Sequence, residues 1–406
     1  MHTEHPPRAH RGRRVAGITT AIIVALGAGY VAACAAIPLP APTLQLEVPA
    51  TQVIAVDDAP LQEAVDGYDE PSAVGWLDGG TVWSNDEAAH PLASITKLVT
   101  VLVGQEAEPL EPGEDGPSYT WTEADTDLQA ALEEIDGIVF PIPEGTKVTR
   151  KQMLTLALVP SANDFATAYA HSIFGDNDAF VAAAADWAER NGLESLVVNE
   201  PSGMDDGNVA SAADIVRLAG LALSDPVVSE IVSMQRATLP WGIGEVENTN
   251  PLLGSMGGAI GVKTGHTDVA GYNLAAAATG SYADRELTRI AVVLGRETEE
   301  ERARDARALL NRLADAPERL AVTSAGEYLG TLSSVDGQFV ELSADETVDQ
   351  VLVPGEELTR TIDPSGESIT LSGPDGASVV PVYREGSFTD PTLRWRLTHP
   401  RELFFR

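Results

Sequence analysis

Ser94-Ile95-Thr96-Lys97 stands at the head of an apolar run, 92–103, that reads as a helix. Residues three apart on a helix share a face, so Ser94 and Lys97 are expected side by side. A serine hydroxyl is a poor nucleophile until a base takes its proton. A lysine can be that base only if desolvation or nearby positive charge lowers its pKa. Two further short motifs follow in order, Ser161-Ala162-Asn163 and Lys263-Thr264-Gly265. Each is common by itself, but the ordered set is far more specific. Lys263 can supply positive charge to Lys97, and the helix N-terminus adds a smaller field. Ser161 can relay a proton to a leaving amine. Asn163, with a donor and acceptors, can orient Lys97 and hold a substrate amide. Lys263 precedes Gly265 on a strand, where an extended peptide can pair with the edge while the ammonium attracts its carboxylate.

The chain around these motifs, 51–316, reads as mixed α and β. Strands are expected at 73–77, 81–84, 259–264, 272–278 and 287–294. Helices are expected at 150–158, 163–174 and 178–191, from Ser211 onward, and at 298–313. Phe165, Tyr169 and Ile173 recur at i, i+4 and i+8, one buried face. Residues 104–136 are rich in Glu, Asp, Pro and Gly and read as an acidic surface insertion. Beyond 320 the texture changes to short alternating runs between Asp336-Gly337, Pro354-Gly355, Pro364-Ser365-Gly366 and Asp375-Gly376. Alternation with regular turns predicts a small all-β domain over 320–406.

Sixty-one acidic residues against 26 basic ones give a formal charge of −35. Such a surface repels phosphates, which excludes nucleic acid as a partner. The single Cys34 can make neither an internal disulfide nor a Cys-based zinc site. The seven histidines show no HExxH or paired spacing, and no GxGxxG or GxxxxGK[ST] stretch occurs. No metal or nucleotide cofactor is therefore expected. At the N-terminus, 1–14 is basic, with Arg8, Arg11, Arg13 and Arg14, and 15–37 carries no charge. That run is long enough to cross a hydrocarbon core of roughly 30 Å. Basic residues before it and an acidic body after it predict a cytoplasmic N-terminus and an extracytoplasmic body on the cell membrane. A retained anchor is the first expectation. Cleavage as a signal peptide, and lipidation at Val31-Ala32-Ala33-Cys34, are the alternatives. The Pro-rich stretch 38–50 reads as a linker.

Four stretches belong together: Ala93-Ser94-Ile95-Thr96-Lys97-Leu98, Pro160-Ser161-Ala162-Asn163-Asp164, Asn248-Thr249-Asn250 and Gly261-Val262-Lys263-Thr264-Gly265-His266-Thr267. With Ser202-Gly203-Met204-Asp205-Asp206 and Ala270-Gly271-Tyr272-Asn273-Leu274, they resemble the serine-type D-alanyl-D-alanine carboxypeptidases, the low-molecular-weight penicillin-binding proteins. The likeness spans about 70–315. It implies an α+β catalytic domain of the β-lactamase/penicillin-binding transpeptidase type, an antiparallel sheet with helices on both faces and a helical subdomain. It implies that Ser94 is acylated by the D-Ala-D-Ala end of a peptidoglycan stem peptide, with Lys97 as base and no metal. Ser161 and Asn163 complete the network, and Lys263, Thr264 and Gly265 lie on the carboxylate side. The backbone N–H groups of Ser94 and His266 form the implied oxyanion hole, and β-lactams are the implied covalent inhibitors. Arg302, seven residues after Gly295, resembles a family arginine that reaches the carboxylate, although Arg296, Arg304 and Arg307 crowd the same segment. The family's usual C-terminal anchor helix is not legible in 389–406.

Two other readings compete. A class A β-lactamase needs a glutamate to activate deacylating water, and 194–199 lacks the ExxLN spacing while Ser161-Ala162-Asn163 lacks a central Asp. A catalytically silent cell-wall-binding protein would not need every catalytic residue type, and all of them are present.

Overall fold

The computed structural model describes residues 9–404, with side chains from Ala16 onward. It contains two compact units. One comprises Ala55–Arg319 with Val351–Glu356, and the other the described residues up to Ile54 with Leu320–Gln350 and those from Glu357 onward.

The first unit is organised by a five-stranded sheet. Its strands are β1 (Ser72–Trp76), β2 (Val82–Ser84), β3 (Ala259–Thr267), β4 (Gly271–Tyr282) and β5 (Arg285–Arg296). They lie in the order β3-β4-β5-β1-β2, each antiparallel to its neighbours. Side chains alternate across a strand, and the two faces of β4 and β5 sort accordingly. Leu274, Ala276, Ala278, Ala291 and Val293 join a core with Ala306, Leu309, Leu310 and Leu313. Ala275, Ala277, Ile290, Val292 and Leu294 join another with Ile215, Val216, Leu218 and Ala219. The sheet is thus covered on both faces, which is why its central strands read as unbroken apolar runs.

Six helices matter to the site: α1 (Thr96–Ala107), α2 (Glu123–Glu133), α3 (Arg150–Leu158), α4 (Asn163–Phe174), α5 (Ala212–Ser224) and α6 (Glu299–Ala314). Their ends follow local chemistry. Thr149 and Gln152 form a reciprocal capping box at α3, and Gly175 at φ 91° closes α4. Ser211 caps α5 by accepting from Asp214 N. The Asp214 carboxylate instead accepts from Ser195 N and Oγ, 2.8 and 2.5 Å away, so no reciprocal box forms there.

Three expectations need correction. The helix expected over 92–103 is shifted: a 3₁₀ turn, Ala93–Ile95, precedes α1, and α1 runs on to Ala107. The insertion 104–136 is not merely a surface element. It holds α2, opened by a Thr122/Asp125 capping box. It also sends Leu110, Trp121 and Leu132 into buried positions. The Trp121 ring lies 4.8 Å from that of Phe165, and Gln129 Nε2 donates to the buried Asp164 at 2.6 Å. Its few apolar residues are spread among acidic ones, which hid them from a reading by composition. The stretch 38–50 is not a free linker either: Thr43–Leu46 pairs antiparallel with Tyr328–Ser333.

That pairing belongs to the second unit, whose seven-stranded sheet also takes in Thr51–Ala55. The N-terminal helix Ala9–Ala36 includes an apolar span, Ala16–Ala36, long enough to cross a membrane. A short helix, Leu393–Thr398, meets its C-terminal end. Arg396 Nη1 donates to the carbonyls of Cys34 (3.2 Å) and Ile37 (2.9 Å), and Tyr30 donates to Leu397 O at 2.8 Å. The last carbonyls of a helix have no partner within it, and a cation there also complements the helix dipole.

Candidate active site

Ser94 rides on the 3₁₀ turn that leads into α1. Ala93, just before it, has φ 48°, and Ser161 has φ 68°. Residues with a Cβ seldom hold this left-handed conformation, and where they do, the surroundings over-determine it. Here the surroundings are two glycines. A Cβ on Gly203 would stand 2.1 Å from Ala93 O, and one on Gly265 would stand 2.5 Å from Leu92 O. The nucleophile turn is therefore gripped from two sides by backbone that only glycine allows.

Lys97 is fully buried. Its Nζ lies 2.7 Å from Ser94 Oγ and 2.7 Å from the carbonyl of Ser202. Burial lowers its pKa to about 7, against the opposing pull of Glu200 and Asp164. Lys263, on β3, is buried as well, and its Nζ donates to Ser161 Oγ at 2.8 Å and to Thr264 O at 3.1 Å. Burial, then the charges of Lys97 and Arg302, hold its pKa well below the usual lysine value. Desolvation, rather than the Lys263 charge invoked above, is the leading cause at Lys97.

Asn163, at the start of α4, accepts from Ile138 N (2.9 Å) and donates to Ser202 O (3.2 Å). It meets Lys97 through that shared carbonyl, not directly as expected. Thr264 Oγ1 lies 2.6 Å from Thr249 Oγ1. The His266 ring packs on Tyr272, centroids 4.0 Å apart. Arg302, on α6, sends Nη2 to Glu299 (2.8 Å) and lies over the Tyr272 ring, while its buried Nε has no hydrogen-bond partner among the described residues. The crowding arginines resolve: Arg296 and Arg304 pair with Asp305, and Arg307 donates to Ser255.

A cavity of about 250 Å³ joins these groups, lined by Ser94, Ser161, Asn163, Thr264, Gly265, His266 and Arg302. Lys97 and Lys263 sit behind it, directed at the two serines. Asp136, Ile138, Met204, Thr249 and Tyr272 also line it. Met204, Thr249 and Tyr272 fall in stretches already quoted for their resemblance. Asp136 closes the acidic insertion, where nothing in the texture marks it.

The sequence profile of the D-alanyl-D-alanine carboxypeptidases matches residues 80–298, more than half of the chain. The chain belongs to this family. It is 27% identical over 289 residues to D-alanyl-D-alanine carboxypeptidase DacF of Bacillus subtilis, covering 69% of this chain and 72% of that protein. It is 32% identical to DacB2 of Mycobacterium tuberculosis, covering 50% and 68% of the two chains. It is also 30% identical to a D-alanyl-D-alanine endopeptidase of Pseudomonas aeruginosa, covering 47% and 60%. Among solved structures, the D-alanyl-D-alanine carboxypeptidase DacD of Francisella tularensis superposes with a TM-score of 0.56 at 20% identity. That match covers 80% of this chain and 94% of that one. The likeness shows that this chain shares the fold of that carboxypeptidase.

Proposed function

We propose that this chain is a serine D-alanyl-D-alanine carboxypeptidase that removes the terminal D-Ala of peptidoglycan stem peptides through an ester on Ser94. The observation that carries the reading is the pairing of each serine with a buried amine, Ser94 with Lys97 and Ser161 with Lys263. Neutral Lys97 takes the Ser94 proton as Oγ attacks the carbonyl carbon of the penultimate D-Ala. The backbone N–H groups of Ser94 and His266 hold the developing oxyanion, one such donor being worth roughly 2.7–4 kcal/mol in the transition state. The carbon–nitrogen bond then breaks, Ser161 passes a proton to the leaving amine, and water later hydrolyses the ester. A β-lactam ring opens on the same serine and stays attached. Product analysis on a D-Ala-D-Ala pentapeptide tests this: one D-Ala and a tetrapeptide are expected, and an untouched pentapeptide with an active, folded protein overturns it.

The base sets the pH dependence. Lys97 acts as the free amine, so acylation by a labelled penicillin should rise about tenfold per pH unit below its pKa and level off above it. The midpoint is expected near pH 7, the value that burial imposes on Lys97. A profile still climbing at pH 9 would mean that another group is the base.

Carboxylate recognition falls to Arg302 more than to Lys263. The Lys263 amine faces Ser161, whereas Arg302 lines the cavity and its buried Nε has no hydrogen-bond partner among the described residues. A hydrogen bond to a charged group is worth about 1.5–3 kcal/mol. Arg302→Ala should therefore lower kcat/KM for D-Ala-D-Ala peptides by roughly 10–100-fold. A matched thioester lacking the carboxylate should lose far less. Equal losses on both substrates would remove Arg302 from this role.

The β-lactamase alternative needs a carboxylate free to activate water. Glu200 and Asp164 are the acidic neighbours of Lys97, yet Glu200 accepts from donors of its own loop and Asp164 from Gln129 Nε2, Phe140 N and Phe165 N. That supports a long-lived penicillin adduct over rapid turnover. The N-terminal helix serves as a membrane anchor with the body outside, motivated by its charge-free span and the arginines before it. Protease added to intact protoplasts should digest residues 40–406; protection equal to that of cytoplasmic markers would reverse the orientation.

A further inference from the structure

Glu200 takes no part in the three motifs, yet its carboxylate is the hub of the loop beside the nucleophile. Oε2 accepts from Ser202 N at 2.7 Å and from Ser202 Oγ at 2.6 Å. Oε1 accepts from Gly203 N, from Met204 N at 2.8 Å and from Asn208 Nδ2 at 2.9 Å. One half-buried carboxylate thus fixes three successive backbone N–H groups. Bonds of this kind, with an ionised acceptor, are roughly twice as strong as neutral ones.

The loop so held delivers two groups to the reacting centre. Its Ser202 carbonyl receives both Lys97 Nζ and Asn163 Nδ2. Its Gly203 lies flat against the Ala93–Ser94 peptide. A neighbouring bond, from Thr100 Oγ1 to Pro201 O at 2.7 Å, ties the same loop to α1.

We propose that Glu200 is a positioning residue for acylation: it clamps the 200–208 loop so that the Ser202 carbonyl holds the Lys97 amine facing Ser94 and Gly203 holds the turn that carries Ser94. The proposal rests on the acyl-enzyme reading above and adds a residue to it. Glu200 acts on the amine in a second way. Two carboxylates bear on Lys97, Asp164 from α4 and Glu200 from the loop, while Lys263 on β3 is itself held well below the usual lysine value by burial and then by the Lys97 charge. The two carboxylates favour the protonated amine and oppose burial. Removing the Glu200 charge therefore loosens the amine and moves its titration to lower pH.

The experiment measures second-order acylation by a labelled penicillin from pH 5 to 9 in the full chain and in the Glu200→Gln and Glu200→Asp variants, with melting curves beside them. Gln keeps one acceptor oxygen but no charge, whereas Asp keeps the charge on a shorter arm. Glu200→Gln is expected to acylate at least about tenfold more slowly on its plateau, with its acidic limb displaced to lower pH. Glu200→Asp is expected to recover the position of the limb and part of the rate. If Glu200→Gln does not fold, the Asp variant decides: slower acylation with an unmoved limb supports the clamp, and wild-type rates refute it. A folded Glu200→Gln with wild-type rate and limb overturns the proposal. So does a slowed Glu200→Gln whose limb has not moved, which would leave Glu200 a merely structural residue. Absence of labelling in the unmodified chain would instead strike the acyl-enzyme reading itself.

Discussion

Ser94→Ala should leave no covalent penicillin adduct on a protein that still melts cooperatively. The hydroxyl is the only group of the Ser94 side chain, and its neighbour is the buried Lys97 amine at 2.7 Å. Without the oxygen there is no atom to acylate, and water held in the cavity would have to attack directly. In serine hydrolases of this logic the loss of the nucleophile costs on the order of 10⁶ in kcat, and loss of its base is nearly as severe because the two act as a unit. Lys97→Ala should therefore approach the same floor. Stability should change little in the serine variant. Lys97 keeps its bond to Ser202 O, so the forfeited hydrogen bond is worth about 1 kcal/mol. Mass spectrometry of the intact protein after incubation with a penicillin reads the result. A stoichiometric adduct on folded Ser94→Ala would place the nucleophile elsewhere. An unlabelled wild-type chain would favour a silent cell-wall-binding protein, and rapid turnover of the drug would favour a β-lactamase.

Gly203→Ala should be almost as damaging to labelling although it removes no reactive atom. The new methyl group would meet Ala93 O at 2.1 Å, Ala93 C at 2.5 Å and Ser94 N at 2.9 Å, all of them backbone. Nothing flexible stands there to give way, so the Ser94 turn or the Ser202 carbonyl must move. A displacement of about 1 Å at a reacting group can lower the rate about 10²-fold. Alanine at φ 87° adds backbone strain of about 1–3 kcal/mol. Gly175→Ala separates the two effects. Gly175 also has a positive φ, 91°, but a methyl group there meets nothing within 4 Å. It should melt lower and label normally. Loss of labelling in both variants would trace the defect to stability instead of to the geometry around Ser94.

How legible all this was depended on the kind of signal each residue left. The helix over Asn163–Phe174 is legible because Phe165, Tyr169 and Ile173 share one face and Gly175 closes its end. The five strands were found, but β4 and β5 proved longer, since paired neighbours extend a strand past its apolar stretch. The motifs named the serines and lysines, but not where each amine points. The sequence places Lys263 on an edge strand before Gly265, where an ammonium would attract a peptide carboxylate. Its burial and its bond to Ser161, 102 residues away in the chain, depend on a long-range contact. Glu200 left no mark at all. Its role is to hold backbone N–H groups, and a bond to backbone needs no partner residue type for a sequence to display. Trp121 was hidden in acidic company, and only the Phe165 ring across from it explains why it is there.

The bond from Arg396 to the last carbonyls of the N-terminal helix has a consequence for biogenesis. Translation makes Cys34 first and Arg396 some 360 residues later. A peptidase that cuts leaders on the nascent chain would meet Val31-Ala32-Ala33-Cys34 before its C-terminal cover has been made. Against such a peptidase the cover gives no protection, whereas one acting on the finished chain meets the site beneath Arg396. The dependence runs the other way. If the segment is removed, Leu393–Thr398 matures with no helix end to settle on, and the tail of the chain becomes a record of how its head was processed.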